Sequence, residues 1–258
     1  MKTTPIYNVM KLAIFHLCLL PTLQSWSASF TLNPSADAFV TTGGPTFNLV
    51  SNNYGGAGAL SIAAPGSPKG EFQSVMMFNF AAAKSSFDTQ FGAGQWSIQS
   101  VTLTLSNALP NNAIFNASAA GQFAVSWMQN DSWVEGTGTP AAPSPTGINF
   151  STISNFVSAG DQSLGTFSYN GASTGTASYS LNLASGLTGD VLLGSLASFR
   201  FFAADNSVSY LFNSENFQGA GRPILTVVAV PEPAALALGT LGLAMADCRR
   251  RAYQRKQR

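Results

Sequence analysis

Apolar and polar residues alternate with period two through much of the middle of the chain, the pattern of half-buried β-strands. Val101, Leu103 and Leu105 alternate with Thr102 and Thr104. Met76, Phe78 and Phe80 form a second set, Phe123, Val125 and Trp127 a third, and Tyr179, Leu181 and Leu183 a fourth. In the last such stretch Leu225 and Val227 oppose Ile224, Thr226 and Val228. Leu60 with Ile62, residues 199–202 and residues 210–212 add shorter candidates. Gly43-Gly44-Pro45, Asn53-Tyr54-Gly55-Gly56 and Pro65-Gly66-Ser67-Pro68 lie between them as chain breakers. Only residues 80–90 and 184–193 carry a helical pattern, and both are short. Residues 137–146, with Pro140, Pro143 and Pro145, read as an exposed loop crossing one end of the fold. Many short strands with Gly- and Pro-rich connections and no internal repeat predict an all-β, antiparallel β-sandwich of jelly-roll type.

The two ends of the chain have a different grammar. Lys2 and Lys11 precede an apolar stretch at 12–20, the length of a signal-peptide core rather than of a membrane span. Ser25-Trp26-Ser27 then places small residues at the −3 and −1 positions of a signal-peptidase site. Cleavage before Ala28 is preferred, with cleavage after Ser29 as the alternative. At the other end Pro231, Glu232 and Pro233 form a stiff, non-helical tripeptide, with two fixed φ angles and two missing N–H groups. Thirteen uncharged residues follow, 234–246, rich in Ala and Leu. As a helix they would reach roughly 20 Å, short of the roughly 30 Å hydrocarbon core. Arg249, Arg250, Arg251, Arg255, Lys256 and Arg258 follow, as the positive-inside rule expects of a cytoplasmic stop. Rigid tripeptide, marginal span and basic stop read together as a temporary anchor with a processing site. An ordinary C-terminal anchor is the alternative, and Asp247 and the short run argue against a permanent one.

These residues resemble the PEP-CTERM sorting signal of exopolysaccharide-producing Gram-negative bacteria. The resemblance covers residues 231–258, with Asp247 as a mild departure. It implies that an exosortase, an integral-membrane transpeptidase-like protease, removes the tail at Pro231-Glu232-Pro233. Three regions follow: a signal peptide at 1–27, an ectodomain at 28–229 and the sorting signal at 230–258. The implied partners are the Sec machinery, signal peptidase and the exosortase. The implied location is the inner membrane transiently, then the cell surface or the medium.

A second resemblance runs through residues 35–229, to the bacterial extracellular β-sandwich modules named after the motif DNRLRE, some of which bind polysaccharide. Asp37-Ala38-Phe39-Val40 opens the region, Asn53-Tyr54-Gly55 follows, and Met76-Met77-Phe78-Asn79-Phe80 stands where the family has a leucine-arginine-phenylalanine-aspartate strand. Residues 98–105, Asp131-Ser132-Trp133-Val134-Glu135-Gly136, Phe212-Asn213-Ser214-Glu215 and Arg222-Pro223-Ile224-Leu225-Thr226-Val227 continue in the same order. Met77 and Asn79 replace the family's Arg and Asp, so a charge-dependent role of that strand does not carry over.

Composition narrows the chemistry. Both cysteines, Cys18 and Cys248, and the one histidine, His16, lie in the terminal signals. The ectodomain therefore has no disulfide, thiol nucleophile or imidazole, which excludes His-based zinc sites and Ser-His-Asp or Cys-His catalysis. Its four basic and nine acidic residues give a formal charge of −5 spread along the chain, which argues against a nucleic-acid partner. The surface it predicts is polar and uncharged, as suits a matrix or adhesive protein. Asp131 and Glu135 flank Trp133 and could pair for glycoside hydrolysis. In the structural reading Trp133 plugs the end of the sandwich, Glu135 accepts backbone N–H groups of its turn, and Glu215 is a buried carboxylate held by loop amides. Asp37, Asp131, Glu135 and Glu215 could offer oxygens to calcium, but no Asp-x-Asp-x-Asp loop is present. Neither metal nor cofactor is expected. Trp96 and Tyr54, beside Gly-rich loops, are the aromatic residues expected to be exposed for stacking on sugar, whereas Trp127 is expected in the core.

The expected protein is a non-enzymatic surface or matrix component associated with exopolysaccharide. The alternatives are a polysaccharide-binding module and a carboxylate-based hydrolase using Asp131, Glu135 or Glu215. With no cysteine between 28 and 229, reducing agent is expected to leave the melting temperature of the mature protein unchanged. A drop measured by calorimetry would show that the mature chain keeps both Cys18 and Cys248, or pairs one of them with a second copy.

Overall fold

The computed structural model describes residues 26–109, 114–115 and 117–232. The signal-peptide core, Pro233, the apolar tail and the terminal arginines lie outside the described residues. Ala28–Ala229 forms one compact unit. Its strands are β1 (Ala28–Leu32), β2 (Ala36–Thr41), β3 (Ala59–Ala63), β4 (Phe72–Asn79), β5 (Trp96–Ser106), β6 (Gly121–Met128), β7 (Gln162–Tyr169), β8 (Thr176–Leu181), β9 (Leu196–Ala203), β10 (Ser209–Asn213) and β11 (Ile224–Pro231). Two helices, α1 (Ala81–Phe91) and α2 (Ser185–Leu193), follow β4 and β8.

The pairing is nested. β6 pairs with β7, β5 with β8, β4 with β9, β3 with β10 and β1 with β11, each antiparallel. A long hairpin folded back on itself in this way gives two sheets, with orders β1-β11-β5-β8 and β10-β3-β4-β9-β6-β7, and β2 added along β4. This is the jelly-roll sandwich that the spacing of strands and breakers predicts.

The main core lies between the sheets. Val101, Leu103 and Leu105 of β5, Leu225 and Val227 of β11, and Tyr179 and Leu181 of β8 face Met76, Phe78, Phe123, Val125, Phe199 and Phe201. Phe123 packs edge-on against Tyr179 at 5.2 Å, and Tyr169 stacks on Tyr210 at 4.0 Å. The edge-on pair has the geometry that aromatic quadrupoles favour. Leu183 falls outside this pattern: β8 stops at Leu181, and Leu183 is 41% exposed. Trp127 is half-buried rather than central. Its Nε1 donates to Oδ2 of Asp190 at 2.6 Å, and Gly186 lies so close to its ring that a Cβ there would come within 2.4 Å.

β4 is buried on both faces, which alternation within one strand cannot reveal. Met76 and Phe78 enter the main core, while Val75 and Met77 join Ala38, Val40, Met128, Trp133, Ile148 and Ile153 in a second cluster on the other face of the larger sheet. The cover there comes from the long segment between β6 and β7. Trp133 therefore covers an outer face instead of plugging the sandwich end, with its Nε1 donating to Oγ of Ser198 at 2.8 Å.

No described helix is long and apolar enough to cross a membrane. Leu103 is fully buried at the middle of β5. Leu103→Ala is expected to cost about 2–5 kcal/mol in chemical denaturation, the range for a buried leucine whose site cannot collapse. Unchanged stability would mean that β5 packs loosely against the facing sheet.

Candidate functional site

Tyr54 and Trp96 are not exposed, and the expectation that they offer stacking faces to sugar is corrected. Tyr54 is 0% exposed and lies flat on Phe39, with ring centroids 4.5 Å apart. Its hydroxyl accepts from Nδ2 of Asn52 at 3.1 Å. Trp96 is 3% exposed and 5.0 Å from Phe87, and its Nε1 donates to Oδ1 of Asp88 at 2.8 Å. The glycines beside them reverse the chain, but each ring gains more by burial with its one polar atom satisfied.

Three of the four singled-out acidic residues meet at one place, and the fourth does not. Asp37 opens β2, Glu135 follows Trp133, and Glu215 follows β10. The N–H of Asp37 donates to Oε1 of Glu135 at 3.2 Å, and Nδ2 of Asn216 reaches the same oxygen at 3.0 Å. The N–H of Glu215 donates to Oδ2 of Asp37 at 2.6 Å. Glu135 thus accepts a backbone N–H from β2 rather than from its own turn. Glu215 contributes its backbone, while its side chain is only half-buried. Asp131 lies apart, beside Ser198 and Asp190, so the Asp131–Glu135 pair imagined for hydrolysis is split between two environments.

Burial sets the charge state of this cluster. Asp37 is 0% exposed, and its Oδ1 has no hydrogen-bond partner among the described residues. Burial pushes its carboxyl well above the usual range, the Glu215 N–H pulls it back in part, and the charges of Glu135 and Glu215 push it up again. Burial also raises Glu135, against the N–H of Asp37. The Asp37 carboxyl meets the Glu215 N–H, and the Glu135 carboxyl meets the Asp37 N–H and the Asn216 amide. Among the described residues no group of three or more His, Cys, Asp or Glu side chains is placed to hold a metal ion.

A residue that sequence patterning passed over organises this region. Asn53 is fully buried, and its Nδ2 donates to the carbonyls of Glu135 at 2.6 Å and Ile148 at 2.7 Å. Its Oδ1 accepts from the N–H groups of Gly55 and Gly138, both at 3.1 Å. Its own N–H donates to the carbonyl of Ser144 at 2.7 Å. Gly138 approaches so closely that a Cβ would sit 1.9 Å from the Asn53 carbonyl oxygen. The available signal was an asparagine beside Gly55-Gly56, with glycines at 136, 138 and 147 elsewhere in the chain.

Past this hub, at the end of the sandwich, opens a cleft of about 1110 Å³. Two strand pairs finish there, Ser106 with Thr176 in the smaller sheet and Ala59 with Asn213 in the larger. A bridge between Asn107 and Phe212 ties the two sheets together beside it. Thr139, Pro140 and Ala141 of the proline-rich loop and Phe217 contribute to its lining. No family model matches the chain, and a search of curated proteins finds no match.

The raised carboxyl of Asp37 has a signed consequence. Its contribution to stability is complete below the unfolded value near 3.8 and is lost as pH climbs from there through the raised folded value. Asp37→Asn keeps an oxygen for the Glu215 N–H and cannot ionise. It is expected to melt above wild type at about pH 7, with the gap closing toward about pH 3. Parallel melting profiles across that range would show that Asp37 titrates as it does in the unfolded chain.

Proposed function

We propose that this protein is an exported, non-enzymatic component of the cell surface or extracellular matrix, sorted through its C-terminal tail and released by cleavage near Pro231. The observation that carries the reading is the order of residues after β11: Pro231-Glu232-Pro233, a short apolar run, then six basic residues. The compact unit supports it, because Ala28–Ala229 accounts for the strands and both helices up to the last two residues of β11. Ala28 pairs with Ala229, so the unit's first and last residues are neighbours in one ladder. Cutting the chain on either side of this pair would leave the sandwich whole. The acidic cluster supports the non-enzymatic part, since Asp37 is sealed from solvent and Glu135 is occupied by the N–H of Asp37 and the amide of Asn216.

The partners in this reading are signal peptidase, the Sec machinery and an exosortase, with exopolysaccharide as the surrounding matrix. Intact-mass spectrometry of the protein from medium or cell surface is expected to give an N-terminus near Ala28 and a C-terminus near residue 230. Recovery of mature protein still ending at Arg258 would sink the proposal.

A further inference from the structure

The cleft at the sandwich end has a chemistry of its own. Among the described residues, none that lines it is ionisable. Its polar groups are the amides of Asn107 and Asn213 and the hydroxyls of Ser106, Thr139, Ser173, Thr174 and Thr176, which both donate and accept. Its apolar surface includes Phe217, Leu109 and Ile114, with the buried Phe115 behind them. A charged ligand would lose its hydration here and meet no counter-charge. A purely apolar ligand would bury the amides and hydroxyls without partners. We propose that the cleft is a binding site for a neutral oligosaccharide chain, whose hydroxyls match the amides and hydroxyls and whose C–H faces match the half-buried ring of Phe217.

Two further observations support this. Oδ1 of Asn107 is buried with no hydrogen-bond partner among the described residues, while its Nδ2 donates to the carbonyl of Thr174 at 3.0 Å. That oxygen is sealed from solvent as it stands, so a sugar hydroxyl satisfies it only when the half-buried side chain of Asn107 turns outward into the cleft. The cleft is also held in shape before any ligand arrives. Asn213 donates to the carbonyl of Gly221 at 3.1 Å. The proline-rich loop is fixed on Asn53 through Gly138 and Ser144. Pre-ordered walls reduce the entropy that binding must overcome, which matters most for weak sugar ligands. The formal charge of −5 on residues 28–229 further disfavours uronate polymers.

The site is independent of how the tail is processed, so its test is separate from that of the sorting reading. The purified full chain is titrated calorimetrically with cello-, manno-, malto- and laminari-hexaose, with alginate and polygalacturonate hexamers, and with laurate as an apolar probe. At least one neutral hexaose is expected to bind, and the uronate hexamers and laurate are not. Phe217→Ala is expected to weaken binding by about tenfold or more. The double variant Ala141→Glu/Ala220→Glu alters only exposed lining positions. It is expected to melt like wild type and to lose binding to the same extent. Binding of laurate alone, equal binding of uronates, no binding of any neutral hexaose, or sugar binding that survives the double variant would each overturn the proposal.

Discussion

Asn53 holds together stretches of chain that the sheets alone leave apart. A buried amide has two donors and an acceptor with two lone pairs, and each must be satisfied or it costs on the order of 1–3 kcal/mol. Here all are used on backbone: the carbonyls of Glu135 and Ile148, and the N–H groups of Gly55 and Gly138. The glycines around it follow from that constraint, because backbone must approach a side chain more closely than any Cβ allows. With the segment after β6 fixed in this way, Trp133 and Ile148 cover the outer face of β2 and β4, and the proline-rich loop becomes one wall of the cleft.

The same fixation brings Glu135 to Asp37. A carboxylate sealed from water beside a second carboxylate is a cost to the fold, relieved in part by the N–H of Glu215. The joint sits where β2, the turn after Trp133 and the turn after β10 converge, so its stability and the placement of those turns are linked. Its acidic residues have the composition of a catalytic or metal site and the hydrogen bonding of a structural one. The cleft next to the hub has the reverse character: among the described residues it carries no charge, and Oδ1 of Asn107 has no partner.

Much of the fold was legible in local pattern. The alternations at Val101–Leu105, Phe123–Val125 and Leu225–Val227 became β5, β6 and β11, and the two helical stretches became α1 and α2 within one residue at each end. Such features depend on neighbours two to four residues away, which the sequence displays directly. The site was much less legible. Tyr54 and Trp96 were misjudged because flanking glycine reports a chain reversal and says nothing of which side of the turn a ring occupies. Leu183 was misjudged because a strand's end is set by where its partner stops.

The sequence by itself determined the fold class, the absence of cysteine and imidazole between residues 28 and 229, and the grammar of the two chain ends. All of these are local or compositional. Tertiary structure alone decided the nested pairing of strands as far apart as Ala28 and Ala229, the double burial of β4, the meeting of Asp37, Glu135 and Glu215, and the neutral cleft. Each depends on which distant segment comes to lie against a given face. That choice follows from closing the whole sandwich at once, and no window of sequence contains it.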